Sequence, residues 1–109
     1  MQTIPQSDID RVKAEHPEWE LIKFTDNETE EVYVFRVPGS PEYNEFLTSR
    51  MDDALRPRAM RTLTQRCAVI PAGPEWAAVL VKAPGLSESF GDKLLQAAAL
   101  NRSVTVEKL

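Results

Sequence analysis

Few side chains in this 109-residue chain are of a type that makes or breaks bonds: one cysteine, Cys67, and one histidine, His16. A thiol nucleophile needs a base close enough to take its proton. His16 falls at the end of a polar N-terminal segment, and Cys67 lies on the apolar side of a helical stretch. A solvated imidazole and a buried structural thiol are therefore the simpler readings. Arg66, next to Cys67, would favour the thiolate, which keeps a minor enzymatic reading open. A four-ligand zinc site is two ligands short, and no carboxylates cluster with Cys67 or His16, so neither a metal nor another cofactor is expected.

Two further patterns bear on chemistry. Asp52-Asp53 is an adjacent acidic pair in a stretch that reads as helix. Neighbours on a helix diverge by about 100°, so the two carboxylates do not converge on one atom, and Asp52 reads as an i,i+4 partner of Arg56. Gly85 to Lys93 (GLSESFGDK) is similar to a phosphate-binding loop but fails its requirements. The glycines are one residue too far apart, Asp92 precedes the lysine, Leu94 replaces the hydroxyl, and no strand leads in.

The charges are unevenly placed. The net charge of −4 argues against general affinity for nucleic acid or an anionic membrane. Residues 1–45 hold 11 acidic and 4 basic side chains, a net −7, whereas residues 46–109 hold 6 acidic and 9 basic ones, a net +3. Arg50, Arg56, Arg58, Arg61 and Arg66 crowd one stretch. Such a cluster is either a solvated helix face or a docking surface for an acidic partner segment.

These groups must be positioned by a small number of elements. The length suits one domain, residues 1–101, followed by a tail at 102–109. An apolar fraction of 42% and a charged fraction of 28% are those of a globular chain. Met1 to Asp10 has neither the basic nor the apolar region of a signal peptide. The longest apolar run, Trp76 to Val81, is far short of the ~20 residues a spanning helix needs. A single cysteine suits a reducing compartment, so a cytoplasmic protein is expected.

Ser7-Asp8 is read as the cap of a short helix to about His16, with Ile9, Val12 and Ala14 inward and Pro17 ending it. Trp19–Thr25 and Glu31–Val37 read as a hairpin around a polar turn, with apolar residues at adjacent positions so that each face is partly covered. Ser40-Pro41-Glu42 starts a helix whose stripe is Tyr43, Phe46, Leu47, Met51, Ala54 and Leu55. Pro57 either kinks that helix or opens another, which carries Met60, Leu63 and Cys67 up to Val69-Ile70-Pro71. Gly73-Pro74-Glu75 starts the next helix, with Trp76, Val79 and Leu80 on one side. Pro84-Gly85-Leu86-Ser87 leads into a last one, with Phe90, Leu94 and Ala97/Ala98 inward and Asn101 as its stop. The tail, with Val104 and Val106 alternating with polar residues, either adds an edge strand or stays loose. A helix, a β-hairpin, then three to four mainly antiparallel helices make an α+β fold.

Taken with the absence of a catalytic constellation, these features point to a protein-binding protein. Its candidate contacts are Arg56, Arg58 and Arg61, with Trp76 and Leu80 as an apolar patch, although a stripe at helical spacing is more often core. The partner is another protein, neither nucleic acid nor membrane, and a second copy of the chain is a further partner class.

One set of residues carries a resemblance: Val37-Pro38, Pro41-Glu42-Tyr43, Phe46, Cys67-Ala68-Val69-Ile70-Pro71, Trp76, Pro84-Gly85 and Leu94. Over about residues 19–100 the chain resembles small tail assembly chaperones of long-tailed bacteriophages and prophages. In those proteins a strand ends in a proline turn, and a helix opens with a Pro-x-Tyr-like start. A later helix ends in a Cys-Val-Val-Pro-like motif before a Pro-Gly-punctuated C-terminal helix. The resemblance implies a mainly helical, non-catalytic protein of the host cytoplasm. Its partner would be the long helical tape-measure protein, shielded while tube subunits assemble around it. The alternative function is a small phage or bacterial regulatory protein that binds and modulates a host protein.

Overall fold

The computed structural model describes residues 4–99 and 103–109. In chain order the elements are α1 (Gln6–Glu15), β1 (Leu21–Thr25), β2 (Val32–Arg36), α2 (Ser40–Met51), a 3-10 turn (Arg56–Arg58), α3 (Ala59–Cys67), β3 (Ala68–Ile70), α4 (Gly73–Lys82) and α5 (Leu86–Ala97). This is the α+β arrangement expected, with one strand added.

The hairpin forms because a polar turn joins two segments rich in branched and aromatic residues. Asp26 Oδ1 accepts the Glu28 N–H at 2.9 Å, and the Glu30 N–H donates to the Asp26 carbonyl at 2.7 Å. Glu30 takes the left-handed backbone (φ 63°) that closes the turn. The antiparallel register runs from Leu21↔Arg36 to Thr25↔Val32. Directly opposed residues share a face, so Ile22, Phe24, Tyr33 and Phe35 all face the helices. Val34, on the other face, is also buried, so β2 is covered on both sides.

The third strand was not expected from the sequence. Ala68-Val69-Ile70 leaves α3 directly and pairs antiparallel with β2, Val34↔Ile70 and Phe35↔Ala68, around a register irregularity. Arg36 reaches across this junction, its Nη2 donating to the Arg66 carbonyl at 3.0 Å.

Two helix starts differ from expectation. α1 begins after Pro5 with no side-chain cap, and Asp8 instead sits in the first turn, 3.6 Å from Arg11. Ile9 and Val12 are half-buried and Ala14 is exposed. In α2 the N-cap is Gly39, one residue before Ser40. Glu42 Oε2 accepts the Gly39 N–H at 3.0 Å, so a carboxylate does the capping that Ser40 was expected to do.

α2 stops at Met51. Asp52 Oδ1 takes the N–H groups of Ala54 and Leu55 at 2.8 and 3.2 Å and turns the chain. Met51, Ala54 and Leu55 are consequently exposed and do not extend the buried stripe. Pro57 lies in the 3-10 turn that opens α3, so it separates two helices.

α3 is the hub, packing on α2, α4 and α5. Gly91 lets α5 come close: a Cβ there would lie 2.6 Å from Met60 Sδ. At the centre, Trp76 stacks on Phe90 with centroids 5.3 Å apart, and Phe35 meets Trp76 edge-on at 5.1 Å. Aromatic pairs in such geometry contribute ~0.5–1.5 kcal/mol beyond area burial. Leu63, Leu80, Leu94 and Leu95 complete the core. Phe90 and Leu94 face inward as expected, whereas Ala97 is exposed. Asn101, the expected helix stop, and Arg102, the expected start of the tail, lie outside the described residues. Residues 103–109 have no regular structure and are exposed, so they add no edge strand here. Among the described residues no helix is long and apolar enough to cross a membrane.

Candidate functional site

α3 divides its surface by helical periodicity. Ala59, Leu63, Thr64 and Cys67 are buried, which leaves Arg61, Thr62 and Gln65 on the far side, with Arg58 of the 3-10 turn just before them. There they form one wall of a groove of about 700 Å³, whose other wall is Ala77, Leu80 and Val81 of α4 and whose end is Pro84, Ser87 and Glu88. A smaller hollow of about 400 Å³ shares Thr62, Gln65 and Ala77 and carries the groove on to Arg66 and Gly73. Val81 on the rim is 83% exposed.

The arginines of the cluster are not equivalent. Arg56 is held by Asp53 at 2.9 Å and by the Arg50 carbonyl at 2.8 Å. Its partner is Asp53, not Asp52, because Asp52 already caps the turn. Arg66 pairs with Glu45 at 3.1 Å. Among the described residues Arg58 and Arg61 make no ion pair, and both line the groove. Two of the three arginines singled out in the sequence are thus brought together, and Arg56 is set apart.

Trp76 and Leu80 do not form a surface patch. Trp76 is 0% exposed and Leu80 5%. Trp76 can be fully enclosed because its Nε1–H donates to Thr64 Oγ1 at 2.9 Å, and that hydroxyl in turn donates to the Arg61 carbonyl at 2.9 Å. Leu80 reaches the groove only as part of its floor. The exposed large apolar residue on α4 is Val81, one position further on, and a finer phase reading of the Trp76–Val81 run would have found it.

Sequence reasoning also missed Arg36. Its Nη2 pairs with Glu42 Oε1 at 2.7 Å, and its guanidinium lies 5.2 Å from the centroid of Trp19. Trp19 stacks in turn on His16, 3.7 Å between centroids and 8° between planes. This ties α1, the sheet and α2 together. Burial raises the Glu42 carboxyl, but the Arg36 hydrogen bond and charge and the Gly39 N–H outweigh it, leaving Glu42 below its ordinary value.

The two groups weighed for catalysis are placed as follows. Cys67 is fully buried, and burial pushes its thiol up to about 12 despite Arg36 nearby. Tyr33 is raised as well, by burial first and then by its hydrogen bond to Glu31. His16 faces Trp19 and Glu18, at 3.6 Å from the latter. Among the described residues no three His, Cys, Asp or Glu side chains converge as a metal would need.

A three-stranded antiparallel sheet with helices packed on its aromatic face, and a basic groove on the outer side of that helical layer, defines a small α+β domain. The chain belongs to the family described as Domain of unknown function (DUF6848), which it matches over residues 12–107. Its fold is similar to that of an uncharacterised protein from Bacillus stearothermophilus. The two share 18% identity with a TM-score of 0.73, over 91% of this chain and 99% of that one. At that identity the likeness concerns the fold alone. No curated protein matches the chain.

Proposed function

We propose that this protein acts without catalysis, by seating an acidic amphipathic helix of another protein in the α3–α4 groove. The observation that carries this reading is the pair Arg58 and Arg61, free of ion pairs among the described residues, beside exposed Val81 along a groove of about 700 Å³. A helix laid in such a groove would place apolar residues at three- and four-residue steps against Ala77 and Val81, and acids against the arginines. The arginines supply orientation and encounter rate more than bulk affinity. On the resemblance to phage and prophage tail assembly chaperones, the partner is the tape-measure protein. Its exposed helices are held in the host cytoplasm until tube subunits enclose them.

The test is a titration of the chain against tape-measure segments from the same genome, at several salt concentrations. Charge reversal at both groove arginines (R58E/R61E) is expected to weaken binding at least tenfold and to flatten its salt dependence. R56E, in an arginine already held by Asp53, should change binding by less than about threefold. Equal binding by the wild type and the double variant removes the groove from the reading. Failure of the wild type to bind any tape-measure segment, while it still binds other acidic helices, removes the chaperone assignment and keeps the groove.

A further inference from the structure

A second surface lies away from the arginine groove. In the β1–β2 ladder Val37 donates to the Glu20 carbonyl and Asp26 to the Glu31 carbonyl. The alternation therefore turns the N–H and C=O groups of residues 20, 22, 24 and 26 toward β2. Those of Leu21, Lys23 and Thr25 point the other way, and among the described residues they have no backbone partner. β1 is thus an open edge. Beside it is a cavity of about 790 Å³ between the hairpin and α5, where Phe24, Leu86 and Phe90 meet Lys23 and Lys93.

One element would satisfy both features: an added strand, bonding to the edge and turning alternate apolar side chains into the cavity. The chain carries such a segment. Residues 103–109 are free of regular structure, and Val104 and Val106 are 76% and 87% exposed. They alternate with Thr105 and Glu107, a pattern of period two.

We propose that the segment around Val104–Glu107 of one copy adds as an antiparallel strand to the β1 edge of a second copy. Val104 and Val106 fill the cavity beside Phe24, and Glu107 lies opposite Lys23. In this register Thr105 faces Thr25 and Val106 faces Phe24, which puts Val106 on the aromatic side of the sheet. Thr25–Thr105 and Lys23–Glu107 each exchange a pair of backbone hydrogen bonds. The receiving edge belongs to a second copy because in the single chain Val104 and Val106 stay exposed and the segment joins no strand. Reciprocal exchange gives a two-fold dimer in which each copy completes the other.

The experiment uses full-length chains. Sedimentation should give twice the 12.3 kDa of one chain, and V104D/V106D should return the mass to that of the single chain. K23E should weaken the dimer about fivefold, and the charge swap K23E/E107K should restore it. K23C chains mixed with E107C chains should yield a disulfide-linked pair under mild oxidation, reversed by reductant. A monomer at every concentration overturns the proposal. A K23C/E107C double variant that cross-links within one chain, while the mixed single variants do not, overturns the second-copy assignment in favour of the chain's own tail. A dimer unaffected by V104D/V106D overturns the strand itself. None of these readouts involves Arg58, Arg61 or a tape-measure segment.

Discussion

Replacing Thr64 by valine keeps the shape of a fully buried residue and deletes one oxygen. That oxygen is the acceptor for the Trp76 indole N–H at 2.9 Å and the donor to the Arg61 carbonyl at 2.9 Å. Both Thr64 and Trp76 are wholly enclosed, so no water takes over. An orphaned buried donor costs ~1–3 kcal/mol. Thr64→Ser keeps the hydroxyl and loses a methyl group, about 1 kcal/mol. Valine is therefore expected to be the worse substitution, although it is the more apolar one. Trp76→Phe removes the donor, and in that background Thr64→Val should cost ~1–2 kcal/mol less than in the wild type. Urea unfolding followed by far-UV circular dichroism measures all five proteins independently of tryptophan emission. In a domain of this size 2 kcal/mol corresponds to a Tm drop of roughly 8–12 °C. If Thr64→Val is as stable as wild type, or costs the same with and without Trp76, the hydrogen bond does not hold the indole in the core. The account of why Trp76 is enclosed would then be wrong.

Three further outcomes are expected. Glu42 is held below its ordinary value of 4.5. The ion pair therefore stabilises the fold above that value, and its contribution is lost as pH falls through the lower folded one; Glu42→Gln should flatten the decline in stability as pH falls below about 4.5. Cys67, raised from 9.0 to about 12, should resist a disulfide reagent at pH 8 in native protein and react fully in urea. Because only the unfolded thiol ionises between those values, Cys67→Ala should lessen the loss of stability as pH rises through that window. Labelling of native protein at the unfolded rate would show that the thiol is not enclosed.

How much was legible in the sequence varied along the chain. The hairpin, α4 and α5 were readable because their signals are local: a polar turn between branched residues, and Pro or Gly at each helix start. The end of α2 was not, because Met51, Ala54 and Leu55 keep the helical period while the Asp52 carboxylate breaks the helix. Three residues are too few for β3 to show a period, and it exists because β2 offers it an edge.

The site divides the same way. Composition settled that one cysteine and one histidine are available for chemistry, and the run from Arg50 to Arg66 announced a basic surface. Only the packed structure decided which of those arginines stay free. That depends on partners distant in sequence, such as Glu45 for Arg66, and on a turn that gives Arg56 to Asp53. Likewise the sequence favoured the inner side of a stripe for Trp76 over an outer patch without settling the choice. The choice came from Thr64, 12 residues away, whose hydroxyl makes full burial of the indole affordable. Local pattern fixes which backbone a segment can adopt, whereas pairing of polar groups across the fold fixes which side chains remain for a partner.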